Sequence, residues 1–278
     1  MRILVLGSNG MAGHVITRYL KEQNYNVKTL ARNNATFCVD VENDISELDN
    51  ILNKENFDFV INCIGLLVKD SNDNPDKAAF VNCYLPHFIE SKLKDKETKL
   101  IHLSTDCVFS GQKGYYTEND IHDEMNFYGR SKSFGEVNNN KDITFRMSII
   151  GPEIKENGTG LFHWFVNSKE NIIPGWDNAF WSGVTTLELA KCINMYIQTP
   201  KITGIYHITN KEGITKYDLL VKINKIFDLN KTIQRTQGPK TINKILIDTR
   251  KELDFNILDY DSMLVNLKNF ITIDPFNQ

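Results

Sequence analysis

Tyr128 and Lys132 stand four residues apart in the stretch Asn126-Phe127-Tyr128-Gly129-Arg130-Ser131-Lys132-Ser133-Phe134-Gly135-Glu136. On a helix they share one face, one turn apart. A cation beside a phenol favours the phenolate, so Tyr128 is expected to give up and regain a proton more readily than a free phenol of pKa about 10. Upstream, Leu103-Ser104-Thr105-Asp106 reads as the polar end of an apolar strand that begins at Lys99. A hydroxyl there suits the same oxygen that a tyrosine would protonate. Such helical pairs are common on surfaces, and this one gains its weight from the start of the chain.

Arg2-Ile3-Leu4-Val5-Leu6 is a short apolar run, as expected of a strand buried on both faces of a parallel sheet. It enters Gly7-Ser8-Asn9-Gly10-Met11-Ala12-Gly13 and then a helical pattern through Val15, Ile16, Tyr19 and Leu20. Strand, glycine turn and helix N-terminus together suit a pyrophosphate, because glycines admit close backbone approach and the free N–H groups favour negative charge. A second strand, Asn26 to Ala31, ends at Arg32 with no carboxylate. An acid there would bind a ribose 2′-hydroxyl and an arginine a 2′-phosphate, so NADP(H) is favoured over NAD(H).

Further strands are expected at Thr36–Val41, with Asp40 near an adenine, at Phe57–Gly65, ending on Cys63, Ile64 and Gly65, and at Leu100–Leu103. Pro75 is expected to open a helix running to about Leu93. This alternation argues for an α/β fold, a Rossmann-type doubly wound parallel sheet. Gly111 to Glu124 reads as a loop, and Asp142 to Gly151 as another strand. Beyond it the composition shifts. A helix with aromatics precedes Ser168, Ile172 to Gly183 reads as irregular, helices cover Thr186–Ile197, Lys216–Phe227 and Asp259–Phe270, and Gly204–Ile208 is a strand. The expected organisation is a dinucleotide-binding domain over 1–151 and a smaller substrate-binding lobe over 152–278, parts of 176–215 returning to the first domain.

A formal charge of −3 makes no electrostatic case for nucleic acid or a membrane surface as partner. No apolar run of about 18 residues occurs, and the N-terminus enters a strand pattern at once, so neither a membrane helix nor a signal peptide is expected. Five cysteines without CxxC spacing read as reduced thiols of a cytoplasmic protein, with no disulfide frame and no metal site. His14, His102, His163 and His207 have no metal-ligand spacing. Phe162, Trp164, Trp176 and Trp181 suit packing, with one of them free to stack on a base. Arg146 suits either a salt bridge inside the fold or a phosphate.

The glycine turn, Ser104-Thr105-Asp106-Cys107-Val108-Phe109-Ser110-Gly111, Tyr128-x-x-x-Lys132 with Gly135-Glu136, Phe145-Arg146-Met147-Ser148 and Gly204-Ile205-Tyr206-His207-Ile208 with Thr215-Lys216-Tyr217-Asp218-Leu219 resemble extended short-chain dehydrogenase/reductases. Within that superfamily the chain is most similar to the dTDP-4-dehydrorhamnose reductase (RmlD-like) family, over nearly its whole length. The resemblance implies reduction, with NAD(P)H, of the 4-keto group of a nucleotide-linked 4-keto-6-deoxysugar for surface polysaccharide. It implies Thr105, Tyr128 and Lys132 as the catalytic set, Lys132 also holding the nicotinamide ribose. It implies Gly7, Gly10, Met11, Ala12 and Gly13 at the pyrophosphate, Asp40 and Val41 at the adenine, and Cys63, Ile64 and Gly65 along the cofactor's middle. A homodimer is compatible with it. Related dehydratases carry Asp-Glu after the threonine, where this chain has Asp106-Cys107, which disfavours dehydration. Ile149 stands where rhamnose reductases place an aromatic residue, which shifts the expected substrate toward a UDP-linked 2-acetamido-2,6-dideoxy-4-ketohexose. A C4 epimerase and a non-catalytic NADP-binding regulatory subunit are the rival readings.

Overall fold

The computed structural model describes residues 1–155 and 158–272. The first half alternates strand and helix: β1 (Arg2–Leu6), α1 (Met11–Glu22), β2 (Asn26–Ala31), β3 (Phe37–Cys38), α2 (Ile45–Lys54) and β4 (Phe59–Asn62). There follow α3 (Val68–Asp73), α4 (Pro75–Ala78), a π-helical segment (Ala79–Tyr84), α5 (Leu85–Leu93), β5 (Lys99–Thr105), α6 (Phe127–Phe134) and β6 (Ile143–Met147). The second half contributes β7 (Ile149–Ile150), α7 (Leu161–Asn167), β8 (Ile172–Trp176), β9 (Ala179–Trp181), β10 (Val184–Thr185), α8 (Thr186–Gln198) and β11 (Gly204–His207). It closes with β12 (Ile214–Thr215), α9 (Lys216–Ile226), β13 (Thr232–Thr236), β14 (Ile242–Asn243) and α10 (Tyr260–Thr272).

Seven strands form one parallel sheet in the order β11-β6-β5-β4-β1-β2-β3. Alternation along β1 sends Ile3 and Val5 into one apolar cluster and Leu4 and Leu6 into another, one on each face. The sheet's seventh strand, β11, comes from the second half of the chain and pairs with β6. Outside this sheet the strands are short: β7 pairs β10, β8 pairs β13, and β9 lies between β12 and β14. No helix among the described residues is long and apolar enough to cross a membrane.

Local expectations change, beginning with the strand expected over Asp142–Gly151, which divides into β6 and β7. Ile172–Gly183 is not irregular, since it holds β8 and β9. Pro174 is tolerated because β8 has a single neighbour, so the missing N–H is not needed by a second one. The strand expected over Thr36–Val41 shortens to Phe37–Cys38, at the sheet edge. The Pro75–Leu93 helix is interrupted by the π segment, which drives the fully buried Asn82 toward α6. There Asn82 donates to Ser71 (3.1 Å), Ser131 (3.2 Å) and the Leu66 carbonyl (3.2 Å), and accepts from the Leu66 N–H (2.8 Å).

Candidate active site

A cleft of about 620 Å³ runs along the C-terminal ends of the sheet strands, where ligands bind in open α/β sheets. At its inner end lie Thr105, Tyr128 and Lys132, brought there from the end of β5 and from α6. Asn126 caps α6 by accepting from the Gly129 N–H (2.9 Å), which fixes the helix start two residues before Tyr128. Gly129 is required here, because a Cβ would come 2.3 Å from the Cys107 carbonyl oxygen. The helix is thereby pressed against the turn that follows Thr105.

The Thr105 hydroxyl lies beside the Tyr128 phenol, close enough to lower its pKa. Thr105 Oγ1 accepts the Cys107 N–H (3.1 Å) and donates to Asp106 (3.2 Å). Lys132 is buried and donates to the Leu103 carbonyl (2.7 Å). Burial brings its ammonium down to about 8, against the opposing pull of Glu136 and Cys63. The phenol of Tyr128 behaves differently from the expectation. Burial raises its pKa, with Cys107 and Asp106 adding to the rise and Thr105 opposing it. Desolvation is thus the dominant influence on this phenol. Tyr128 is held as the protonated phenol, ready to donate.

Behind these residues lies a buried network that sequence reasoning left open at Arg146. Arg146, fully buried, clasps Glu136 through Nε (2.8 Å) and Nη2 (2.6 Å). The same guanidinium reaches His207 (2.9 Å) and His122 (2.7 Å). Ser104, next to Thr105, donates to Glu136 (2.5 Å). Arg146 is therefore the salt-bridged residue of the two alternatives. His207 bonds the Ile247 carbonyl through Nδ1 (2.9 Å), and burial together with Arg146 lowers its pKa to about 4, so it is a neutral structural imidazole. His102 is likewise buried and held neutral, with Nδ1 against the Asn62 amide (3.2 Å). Trp181 and Phe162 are buried and pack on Tyr260 and Phe227. Trp164 and Trp176 are exposed. Among the described residues no group of three His, Cys, Asp or Glu could hold a metal ion.

The glycine turn forms the middle of the cleft. Gly10, Met11 and Ala12 line it, and α1 begins there with no side-chain cap on its first N–H groups. Gly7 and Gly13 do not line it. Gly7 has φ +74°, and a Cβ on Gly13 would sit 2.1 Å from the Gly7 carbonyl oxygen. Their work is to turn the chain and to seat α1 on the strand end. Cys63, Ile64 and Gly65 also line the cleft, with Cys63 and Ile64 packed next to Gly7. Burial pushes the Cys63 thiol up to about 12, so it is an inert wall. Arg32 lines the outer end and also an adjoining hollow of about 360 Å³ with Asp40, Asn43, Asp76 and Lys77. Val41 is the exception among the residues expected at the adenine: it is buried in the core with Leu48 and Leu52. Asn82 and Glu136 are supports that sequence reasoning did not assign. Glu136 was visible as the end of the Tyr128 motif, and Asn82 carried no signal.

A family model described as the RmlD substrate binding domain matches residues 1–244. A probable low-salt glycan biosynthesis reductase of Haloferax volcanii is 36% identical over 255 residues, covering 84% of this chain and 82% of that protein. The methionine adenosyltransferase 2 subunit beta of Xenopus tropicalis is 24% identical over 244 residues, covering 82% of this chain and 72% of that one. The structure also resembles a dTDP-4-dehydrorhamnose reductase of Bacillus anthracis, solved in complex with NADP. That match has a TM-score of 0.80 at 20% identity and covers 98% of this chain and 99% of that one.

Proposed function

We infer the activity from one premise: the chain belongs to the RmlD substrate binding domain family of sugar reductases. On that premise we propose that it reduces the 4-keto group of a nucleotide-linked 4-keto-6-deoxysugar, with NADP(H) preferred over NAD(H), for a surface glycan. The observation that carries this reading is the convergence of Thr105, Tyr128 and Lys132 at one end of a cleft whose middle is the uncapped start of α1. The open N–H groups and the close glycine packing suit a dinucleotide's pyrophosphate. Arg32 and Lys77 at the outer hollow suit a 2′-phosphate, with Asp40 beside the adenine. Cys63, Ile64 and Gly65 would flank the cofactor's central stretch.

When bound, the nicotinamide supplies a hydride to the sugar carbon. Tyr128 donates its proton to the oxygen at that carbon as negative charge develops there. Its raised pKa keeps the proton available across the neutral range. Thr105 turns its hydroxyl from Asp106 to the same oxygen and stabilises the charge. Lys132, charged below about 8, holds a cofactor ribose and offsets the phenolate left on Tyr128. The buried Arg146–Glu136 pair secures Ser104, and with it the strand end that presents Thr105.

Asp106-Cys107 lacks the second carboxyl group that a dehydratase needs, and burial pushes the Cys107 thiol up to about 12, so it is no base. Ile149 on the cleft wall leaves an aliphatic surface toward the sugar. A UDP-linked 2-acetamido-2,6-dideoxy-4-ketohexose is the preferred substrate. The likeness to methionine adenosyltransferase 2 subunit beta favours a second reading, a non-catalytic NADP-binding regulatory subunit. The intact Thr105, Tyr128 and Lys132 speak for the enzyme, since a regulator has no chemical need for all three.

The test is loss of NADPH absorbance with 4-keto-6-deoxysugars on UDP and on dTDP, generated in situ by a dehydratase. Stoichiometric oxidation with one of them is expected. NADPH binding without oxidation of any such sugar would move the reading to the regulatory subunit, or to a C4 epimerase if the sugar is inverted without net NADPH use.

A further inference from the structure

Next to Thr105 lies a second polar cluster, in which the charges of Lys244 and Lys216 act on Asp106, and Cys107 lies beside them. Asp106 and Cys107 line the cleft beside Tyr128. Lys244, from the segment after β14, has a counter-ion in Glu124 at 3.4 Å. Lys216, the first residue of α9, feels the Asp106 carboxylate without forming a direct ion pair with it. Among the described residues it makes no hydrogen bond or ion pair, and its ammonium lies 5.1 Å from the Trp181 ring centroid. Asp106 is the source of compensation, its buried carboxyl also accepting the Thr105 hydroxyl (3.2 Å).

We propose that Lys216 is an anion-binding residue of the substrate pocket, its ammonium taking a phosphate or carboxylate group of the substrate beside Asp106 and Cys107. The physical ground is a partly buried cation with no direct ion pair, compensated by the Asp106 carboxylate only from beyond ion-pair distance, an arrangement that an incoming anion relieves. Desolvation lowers the Lys216 pKa, in keeping with a charge short of partners. The Trp181 face holds the ammonium by its ring quadrupole and leaves the N–H donors free. Trp181 is itself buried against Tyr260, so this platform is rigid. The inference rests on the nucleotide-sugar reading for its ligand: on that reading the anion is the substrate diphosphate. A carboxylate on the sugar has the same chemistry.

The experiment titrates the full-length protein with UDP, dTDP, uridine, thymidine, UDP-glucose and UDP-glucuronate by calorimetry, as wild type, Lys216→Met and Lys216→Arg. With the diphosphate as ligand, Lys216→Met weakens the preferred nucleoside diphosphate roughly tenfold or more, in line with loss of a charge-assisted contact. The nucleosides and NADPH are unmoved, and Lys216→Arg stays within about threefold of wild type. With a sugar carboxylate as ligand, Lys216→Met instead spares UDP and UDP-glucose and abolishes a preference for UDP-glucuronate. Unchanged binding of every probe in Lys216→Met overturns the proposal, as does equal weakening of nucleosides and diphosphates. A protein that binds diphosphates through Lys216 yet oxidises NADPH with no 4-keto sugar overturns the reductase reading and leaves the anion site standing.

Discussion

At one end of the cleft, Thr105 and Lys132 are buried beside Tyr128, among partners that are themselves buried, whereas at the other Arg32 and Lys77 stand exposed on the ends of their elements. The inner end is governed by desolvation. It raises the Tyr128 phenol, brings the Lys132 ammonium down to about 8 and forces Glu136 and Arg146 to satisfy each other. The outer end is governed by solvent, which screens charges and leaves each worth little by itself. The same dinucleotide would thus be gripped in two ways, by preset geometry near the chemistry and by adjustable charges far from it. Substitutions should cost much more at the inner end than at the outer one.

The sharpest contrast is expected from Tyr128→Phe. It removes the donated proton and should lower turnover by about two to four orders of magnitude, with NADPH affinity changed only a few-fold. A near-wild-type rate in stopped-flow assays would refute the mechanism. Next comes Arg146→Met, which strands the Glu136 carboxylate in a site closed to water. A loss of about 3–5 kcal/mol in urea unfolding is expected, and a loss under 1 kcal/mol would show that water reaches Glu136. Within the glycine turn, Gly13→Ala should cost about 1–3 kcal/mol by overpacking, since its Cβ meets the Gly7 carbonyl at 2.1 Å. Gly10→Ala meets the same oxygen only at 3.3 Å and should fold almost normally. Equal destabilisation of the two would break the distinction between packing and lining glycines.

Lys132 gives a pH test in which function and stability move apart. Its folded pKa of about 8 lies below the unfolded value near 10.5. Between these limits the unfolded chain binds the extra proton, so this group's contribution to stability rises with pH. Loss of the charge, however, weakens its hold on the ribose and the phenolate. Turnover should therefore decline as pH passes about 8 while Tm shows no parallel drop from this group. A pH–rate profile flat to pH 10 would place Lys132 outside the mechanism. The smallest effect is expected at the outer end: Arg32→Ala should reduce the preference for NADPH over NADH by about tenfold or less. No change in that ratio would assign the 2′-phosphate elsewhere, with Lys77 the first residue to examine.

Much of this arrangement was legible in the chain because its parts are local. The run Arg2–Leu6, the glycine turn and the start of α1 occupy neighbouring positions, and so do Tyr128, Lys132 and Glu136. The short strands of the second half were less legible. β8 takes its partner β13 from about sixty residues away, and its exposed faces dilute the apolar pattern. Asn82 illustrates the same difficulty: its importance arises from a π turn, and its partners lie on two other segments, Leu66 and Ser71 on one and Ser131 on the other.

By itself the amino-acid order determined the parallel α/β sheet, the turn that seats α1, and the identities of the hydroxyl, phenol and amine that meet at the cleft. These follow from backbone sterics, apolar periodicity and helical spacing, all of which act over a few residues. Only the tertiary structure decided the ionisation of those groups, the pairing of Arg146 with Glu136 rather than with a phosphate, the burial of Val41 away from the cleft, and the lack of a direct ion pair at Lys216. Charge in a fold depends on which distant segments exclude water and which supply a counter-ion. No spacing along one stretch of chain encodes that.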